Sequence, residues 1–187
     1  MTSSKELHKM TIEKLGQLFP IIIQDYSHKW INHYQSESKL IINSFSQSDI
    51  VKIDHIGSTA IPGLKAQPTI DILLQVSDKI DIQKLKQVFK SLNYQINEQP
   101  DNPPPHLTFV KGYTEQGFKG QAYHVHIRYK GDWDELRFRD YLINHKKLAK
   151  EYETLKLKLA DLYKNDREAY TNSKTDFIQK VIKLTRK

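Results

Sequence analysis

Three side chains whose types and spacing could do chemistry stand on two short stretches of this 187-residue chain. Asp71 is the one charge in the β-branched run from Thr69 to Val76. Its neighbours Ile70 and Ile72 point to the opposite face of a strand, so its carboxylate shares a face with Thr69, Leu73 and Gln75. A lone carboxylate among apolar strand residues needs a partner, either a metal ion or a basic side chain. In the second stretch, from Ala122 to Tyr129, His124, His126 and Arg128 alternate with Val125, Ile127 and Tyr129. Two imidazoles and a guanidinium therefore line one face while the other is apolar. Histidines at i and i+2 on a strand have metal-ligand geometry, and imidazole suits zinc, manganese, iron or nickel better than magnesium. A bare H-x-H is equally consistent with one hydrogen-bonded and one exposed histidine. The residues alone leave both readings open.

A second kind of chemistry is written between the strand Val51 to Ile56 and Asp71. Gly57 lacks a Cβ, so the backbone can turn sharply there and let a ligand approach. Consecutive N–H groups of Gly57, Ser58 and Thr59, with the Ser58 hydroxyl, can converge on a phosphate. Further along, Arg139 can pair with Asp140 or bind phosphate bidentately. Lys156, one helical turn from Tyr152, can reach an acidic neighbour or a bound phosphate, and the ion pair is slightly favoured. Arg137 reads as solvated.

The elements that must position these groups follow from periodicity. Lys5 to Phe19 has helical spacing and is ended by Pro20. Ser27 is a candidate N-cap for a helix to about Phe45. Asp81 to Leu92 is helical, Tyr94 to Glu98 a short strand, and Gln99 to Pro105, with three consecutive prolines, an exposed loop. His106 to Lys111 reads as a strand beginning near the histidine pair, Gly112 to Gly120 as a flexible connection, and Ala122 to Tyr129 as the clearest alternating strand. Asp132 with Glu135 predicts a capping box opening a helix through Leu142. Helices from Lys146 to Tyr163 and from Thr175 to Leu184 complete the chain, with Tyr170 and Lys174 ahead of the last.

The length suits one domain with its own core. There is no cysteine, which removes disulfides, zinc-thiolate sites and cysteine nucleophiles. No apolar run approaches membrane-spanning length and no signal core opens the chain, so a soluble, cytoplasmic protein is expected with no membrane partner. The net charge is +7, and from Lys146 onward there are twelve Lys or Arg against six Asp or Glu. Such a face would attract a nucleotide, a phosphorylated small molecule or RNA. Lys-rich helices with interspersed Glu are more often solvated faces, so RNA is not favoured. No P-loop, nucleophile elbow, dinucleotide fingerprint or internal repeat is present, which argues against a P-loop kinase and a serine hydrolase.

The stretch HIGSTAIPGLKAQPTIDILL, His55 to Leu74, resembles the signature of the GrpB-like proteins, a branch of the nucleotidyltransferase superfamily whose best-known members are similar to DNA polymerase beta. The likeness extends from about Ile21 to Leu184. It includes Gln24-Asp25-Tyr26 to Trp30, Arg137 to Leu142, Ala149 to Ala160 with Tyr152 and Lys156, and Tyr170 with Lys174; the leading residues 1–20 lie outside it. What the resemblance implies is an α+β fold, a mixed β-sheet packed with helices and a helical C-terminal portion. It also implies a Gly-Ser turn that holds a nucleotide's phosphates and strand carboxylates that hold divalent metal. Two departures stand out. The residues flanking Asp71 on its own face are Thr69 and Leu73, so the expected carboxylate pair is broken, and Gln67 stands where relatives commonly carry Lys.

The resemblance implies a metal-dependent nucleotidyltransferase, acceptor unassigned. In it Gly57, Ser58 and Thr59 hold phosphates, Asp71 with His124 or His126 holds manganese, magnesium or zinc, and Arg128 or Arg139 neutralises charge. The alternative is a non-catalytic module that binds a nucleotide or coenzyme A precursor and has lost the carboxylate pair. A weaker third is a metal-dependent phosphohydrolase.

Overall fold

A computed structural model describes residues 7 and 9–186. Its centre is a five-stranded mixed sheet in the order β1-β2-β5-β4-β3. The strands are β1 (Ile50–Ile56), β2 (Thr69–Val76), β3 (Gln95–Glu98), β4 (Leu107–Thr114) and β5 (Gly117–Tyr129). Only the β2–β5 pair is parallel. That pair occupies the middle of the sheet, where both faces are covered, as parallel strands require.

The helices are α1 (Ile12–Leu18), α2 (Lys29–Asn43), α3 (Ile82–Ser91), α4 (Asp134–Asn144), α5 (Lys146–Leu162), α6 (Arg167–Asn172) and α7 (Thr175–Thr185). Alternation sorts the sheet into two faces. Ile70, Ile72 and Leu74 of β2 with Tyr123, Val125 and Ile127 of β5 meet Trp30 and Ile41 of α2 and Leu85 and Phe89 of α3 in the main core. The opposite face carries Asp71, His124 and His126, and above it a second apolar cluster joins Phe138, Leu142, Ala149, Tyr152, Val181 and Ile182 of the C-terminal helices. The site face is thus a polar seam between the sheet and a helical layer.

Several local expectations are corrected. The leading helix does not run unbroken to Phe19: the backbone turns at Lys9 and Met10 and α1 starts after Thr11, whose hydroxyl accepts from Lys14 N, while residues 1–6 and 8 lie outside the described residues. Ser27 does accept from Lys29 N, but the N-cap position of α2 falls on His28. The Asp132/Glu135 capping box does not form, because both carboxylates are taken by arginines: Asp132 binds Arg137, and Glu135 accepts from Arg128 Nη2 at 3.0 Å. Arg137 is accordingly paired rather than merely solvated.

The segment Gly112 to Gly120 is no flexible connection. β4 and β5 pair as a hairpin as far as Thr114 and Gly117, with a register slip between Lys111 and Tyr113. Gly112 makes the slip sterically feasible: its φ is +94, and a Cβ there would stand 2.7 Å from the Gln121 carbonyl oxygen. Lys111 lies over the rings of Tyr94 and Tyr123 on the core face. Strict alternation would leave Tyr113 on that face too, yet its ring stacks on His124. The slip turns Tyr113 toward the site.

Candidate metal centre

In the parallel β2–β5 register Asp71 stands opposite His124 and Leu73 opposite His126, so the three polar side chains emerge side by side on one face. Asp71 Oδ1 lies 3.3 Å from His124 Nδ1 and 3.5 Å from His126 Nε2. Both separations exceed the roughly 2.7–3.2 Å of a good N–H···O hydrogen bond. They match two donors on one ion, which at bonds of about 2.0–2.2 Å stand about 2.8–3.6 Å apart for angles between octahedral and tetrahedral. All three donor atoms lie within 4.8 Å of one another, and this is the single such His/Asp/Glu group among the described residues. Burial would raise the Asp71 pKa, but the two imidazoles outweigh it and hold the carboxylate well below its ordinary range. It is ionised, as a ligand must be.

The surroundings fix the donors. His124 Nε2 lies 2.7 Å from the Tyr113 hydroxyl, which leaves Nδ1 facing Asp71. Burial raises the Tyr113 pKa, so the phenol stays neutral and its oxygen can accept from Nε2–H, the outer contact that orients a ligating imidazole. Asp71 is confined from the other side by Gly57, whose φ is +70; a Cβ there would stand 2.5 Å from Asp71 Oδ2. No residue but glycine leaves the carboxylate this room.

The turn after Gly57 is a single 3-10 turn, Ser58–Ala60. Thr59, buried, donates its hydroxyl to the Thr69 carbonyl at 3.1 Å and so has only lone pairs left for His55 Nε2 at 3.0 Å. His55 must donate, which fixes its Nε2–H tautomer. Its ring stacks on Tyr34, with centroids 4.8 Å apart, and burial depresses its pKa to about 4. A neutral imidazole thus ties β1, the turn and β2 together.

Two cavities meet at the triad. The smaller, about 170 Å³, is lined by Ser58, Asp71, His124, Lys156, Arg167 and Lys174 among others. The larger, about 660 Å³, shares Ser58, Asp71 and Lys174 with it and adds His126, Trp133 and Tyr152.

The GrpB protein family matches residues 20–184 of the chain. The chain belongs to the GrpB family. It is 32% identical over 167 residues to the "Glutamate-rich protein GrpB" of Alkalihalophilus pseudofirmus, covering 87% of this chain and 94% of that one. It is 37% identical over 154 residues to a UPF0157 protein of Pseudomonas aeruginosa, a match to 82% of this chain but only 62% of that longer relative. The crystal structure of conserved protein GrpB from Enterococcus faecalis superposes with a TM-score of 0.74 at 26% identity, over 88% of this chain and 96% of that one.

Of the residues singled out in this GrpB chain, Ser58, Asp71 and His124 reach one cavity and Ser58, Asp71 and His126 the other, while Thr59 lines the first and Gly57 the second. Lys156 is 2% exposed and makes no ion pair among the described residues; its ammonium donates to the Lys65 carbonyl, while Glu153 takes Lys65 N and Lys150. Burial and the neighbouring Lys174 lower the Lys156 pKa to about 7. Arg128 is buried in an ion pair with Glu135 along the larger cavity. Arg139 lines neither cavity: it donates to the His55 carbonyl at 2.7 Å and to Asp140, beside Asp54. His106 does not join the triad; it precedes β4 with its ring on the Asn102 carbonyl. Arg167 and Lys174 were not singled out as site residues. For Lys174 the available signal was its place in the Tyr170/Lys174 likeness; for Arg167 there was none.

Proposed function

We propose that this chain is a metal-dependent, nucleotidyltransferase-like protein that binds a nucleotide, with Asp71, His124 and His126 as its three metal ligands. The two Asp71–imidazole separations, longer than good hydrogen bonds and within the range of two donors on one ion, carry the reading. Three protein ligands leave positions open to water or substrate, the pattern of a catalytic rather than a structural site. Imidazole donors favour manganese or zinc over magnesium. When bound, the ion supplies Lewis-acid polarisation of a phosphoryl oxygen.

The chain's own groups do the rest. Gly57 leaves space for the carboxylate, Ser58 offers a hydroxyl at the junction of both cavities, and Lys156, its pKa lowered to about 7, becomes fully charged in the smaller one when an anion binds beside it. Arg128 and Arg139 are held by carboxylates and a carbonyl, so charge neutralisation falls to the lysines. Leu73, fully buried on the Asp71 face, supplies no second carboxylate, which limits the centre to one ion. That observation also sustains a second reading, a module that binds nucleotide without transferring it.

Equilibrium binding of a non-hydrolysable ATP analogue with and without Mn²⁺ tests the proposal. Asp71→Asn should abolish the Mn²⁺-dependent binding while the variant still folds, its unfolding temperature lowered by the loss of the Asp71–imidazole contacts. Nucleotide bound by the variant with metal as by the parent would refute it. Labelled ATP that is bound but never consumed, across metals and acceptors, would select the module.

A further inference from the structure

The smaller cavity concentrates positive charge that the triad does not neutralise. Lys156, Lys174 and Arg167 all line it, against Asp71 as the one carboxylate in its wall. That carboxylate already faces two imidazoles. The three cations are incompletely satisfied by protein. Lys156 has one acceptor, the Lys65 carbonyl, for three N–H groups, and Arg167 Nη1 donates to the Phe19 carbonyl at 3.2 Å. The Lys174 ammonium has no hydrogen-bond acceptor among the described residues and rests over the Tyr170 ring, 4.1 Å from its centroid. Part-buried ammonium groups without acceptors are costly unless a ligand supplies them.

Size narrows what that ligand is. About 170 Å³ falls below the roughly 300–1,000 Å³ of small-molecule sites, a size that suits one oxyanion group better than a whole nucleotide. The larger cavity, about 660 Å³, falls within the roughly 300–1,000 Å³ of small-molecule sites, and Trp133, Phe138, Tyr152 and Ile178 give it broad apolar walls. Ser58, Asp71 and Lys174 line both, so the cavities adjoin at these side chains, and a ligand occupying both would take the gap beside them as its throat.

We infer that the smaller cavity seats the terminal phosphate of an organic phosphate, held by Lys174, Lys156 and Arg167, and that the organic part passes the Ser58–Lys174 throat into the larger cavity. The inference rests on the proposed function for the nature of the ligand, and its phosphate seat stands on the cations alone. Lys174 is then the residue that separates phosphorylated from unphosphorylated ligands.

Inorganic phosphate is the probe, its binding to the full chain followed by ³¹P NMR, while Mn²⁺ binding is measured separately from the electron paramagnetic resonance of the free ion. The parent should bind phosphate, and Lys174→Met and Lys156→Met should each weaken it by tenfold or more, while both variants stay folded and still bind Mn²⁺. Phosphate bound equally by the parent and both variants overturns the seat, as does a parent that binds Mn²⁺ but no phosphate. A parent that binds phosphate in a Lys174-dependent way but no Mn²⁺ supports the seat and removes the metal reading instead. Malonate competing as well as phosphate would overturn the assignment to phosphate.

Discussion

A single histidine outside the triad shows how the site is held. His55 donates to Thr59, and burial keeps it neutral by depressing its pKa from 6.5 to about 4. The unfolded chain therefore takes up a proton on this residue between those values while the folded chain does not, so stability is present above pH 6.5 and is lost as the pH falls toward 4. At about 1.4 kcal/mol per tenfold change in proton affinity, the loss is at most about 3 kcal/mol. Chemical denaturation of the parent and of His55→Gln across that range should show the parent's steeper decline and a flatter one for the variant; parallel curves would mean that the imidazole titrates freely. Strand alternation made His124 and His126 legible as a pair and Asp71 as a lone carboxylate, while joining the two strands in one sheet rested on the family likeness. The commitments of Arg139 and Lys156 to carbonyls of His55 and Lys65 were not legible, since those partners lie 84 and 91 residues away in sequence.

At the scale of elements, the β4–β5 hairpin converts a one-residue irregularity into site chemistry. Gly112 and Gly120 looked like breaks in the sequence because isolated glycines usually punctuate. Here Gly112 occupies positive φ inside paired strands, and the slip it permits delivers the Tyr113 hydroxyl to His124. Gly112→Ala combines a left-handed backbone cost of about 1–2 kcal/mol with a close approach to Gln121. Thermal unfolding should fall by several degrees, since about 1 kcal/mol shifts a chain of this size by about 2–4 °C. Metal affinity should fall with it, whereas Tyr113→Phe should lower metal affinity and spare most of the stability. An unaltered metal affinity in both would detach Tyr113 from the centre. The capping box does not form because Glu135 is taken by Arg128 of β5 and Asp132 by Arg137 on the helix itself.

For the whole molecule, the sheet supplies the three proposed metal ligands and the C-terminal helices supply the basic groups. The basic excess after Lys146 reads in composition as a solvated surface, and for most of those lysines it is one. Lys156, Lys174 and Arg167 are the exceptions, turned toward the cavity over Asp71. No helix among the described residues is long and apolar enough to cross a membrane. The account stands on the triad being a metal centre, and cobalt absorption addresses that most directly because the chain has no cysteine to bind the ion through sulfur. Titrating the purified, chelator-treated chain with Co²⁺ should produce visible d–d bands that saturate at one equivalent, without sulfur charge-transfer absorption, and that are lost in Asp71→Ala and in His124→Ala. Bands that persist undiminished in both variants, or a parent chain that binds no equivalent, would contradict it.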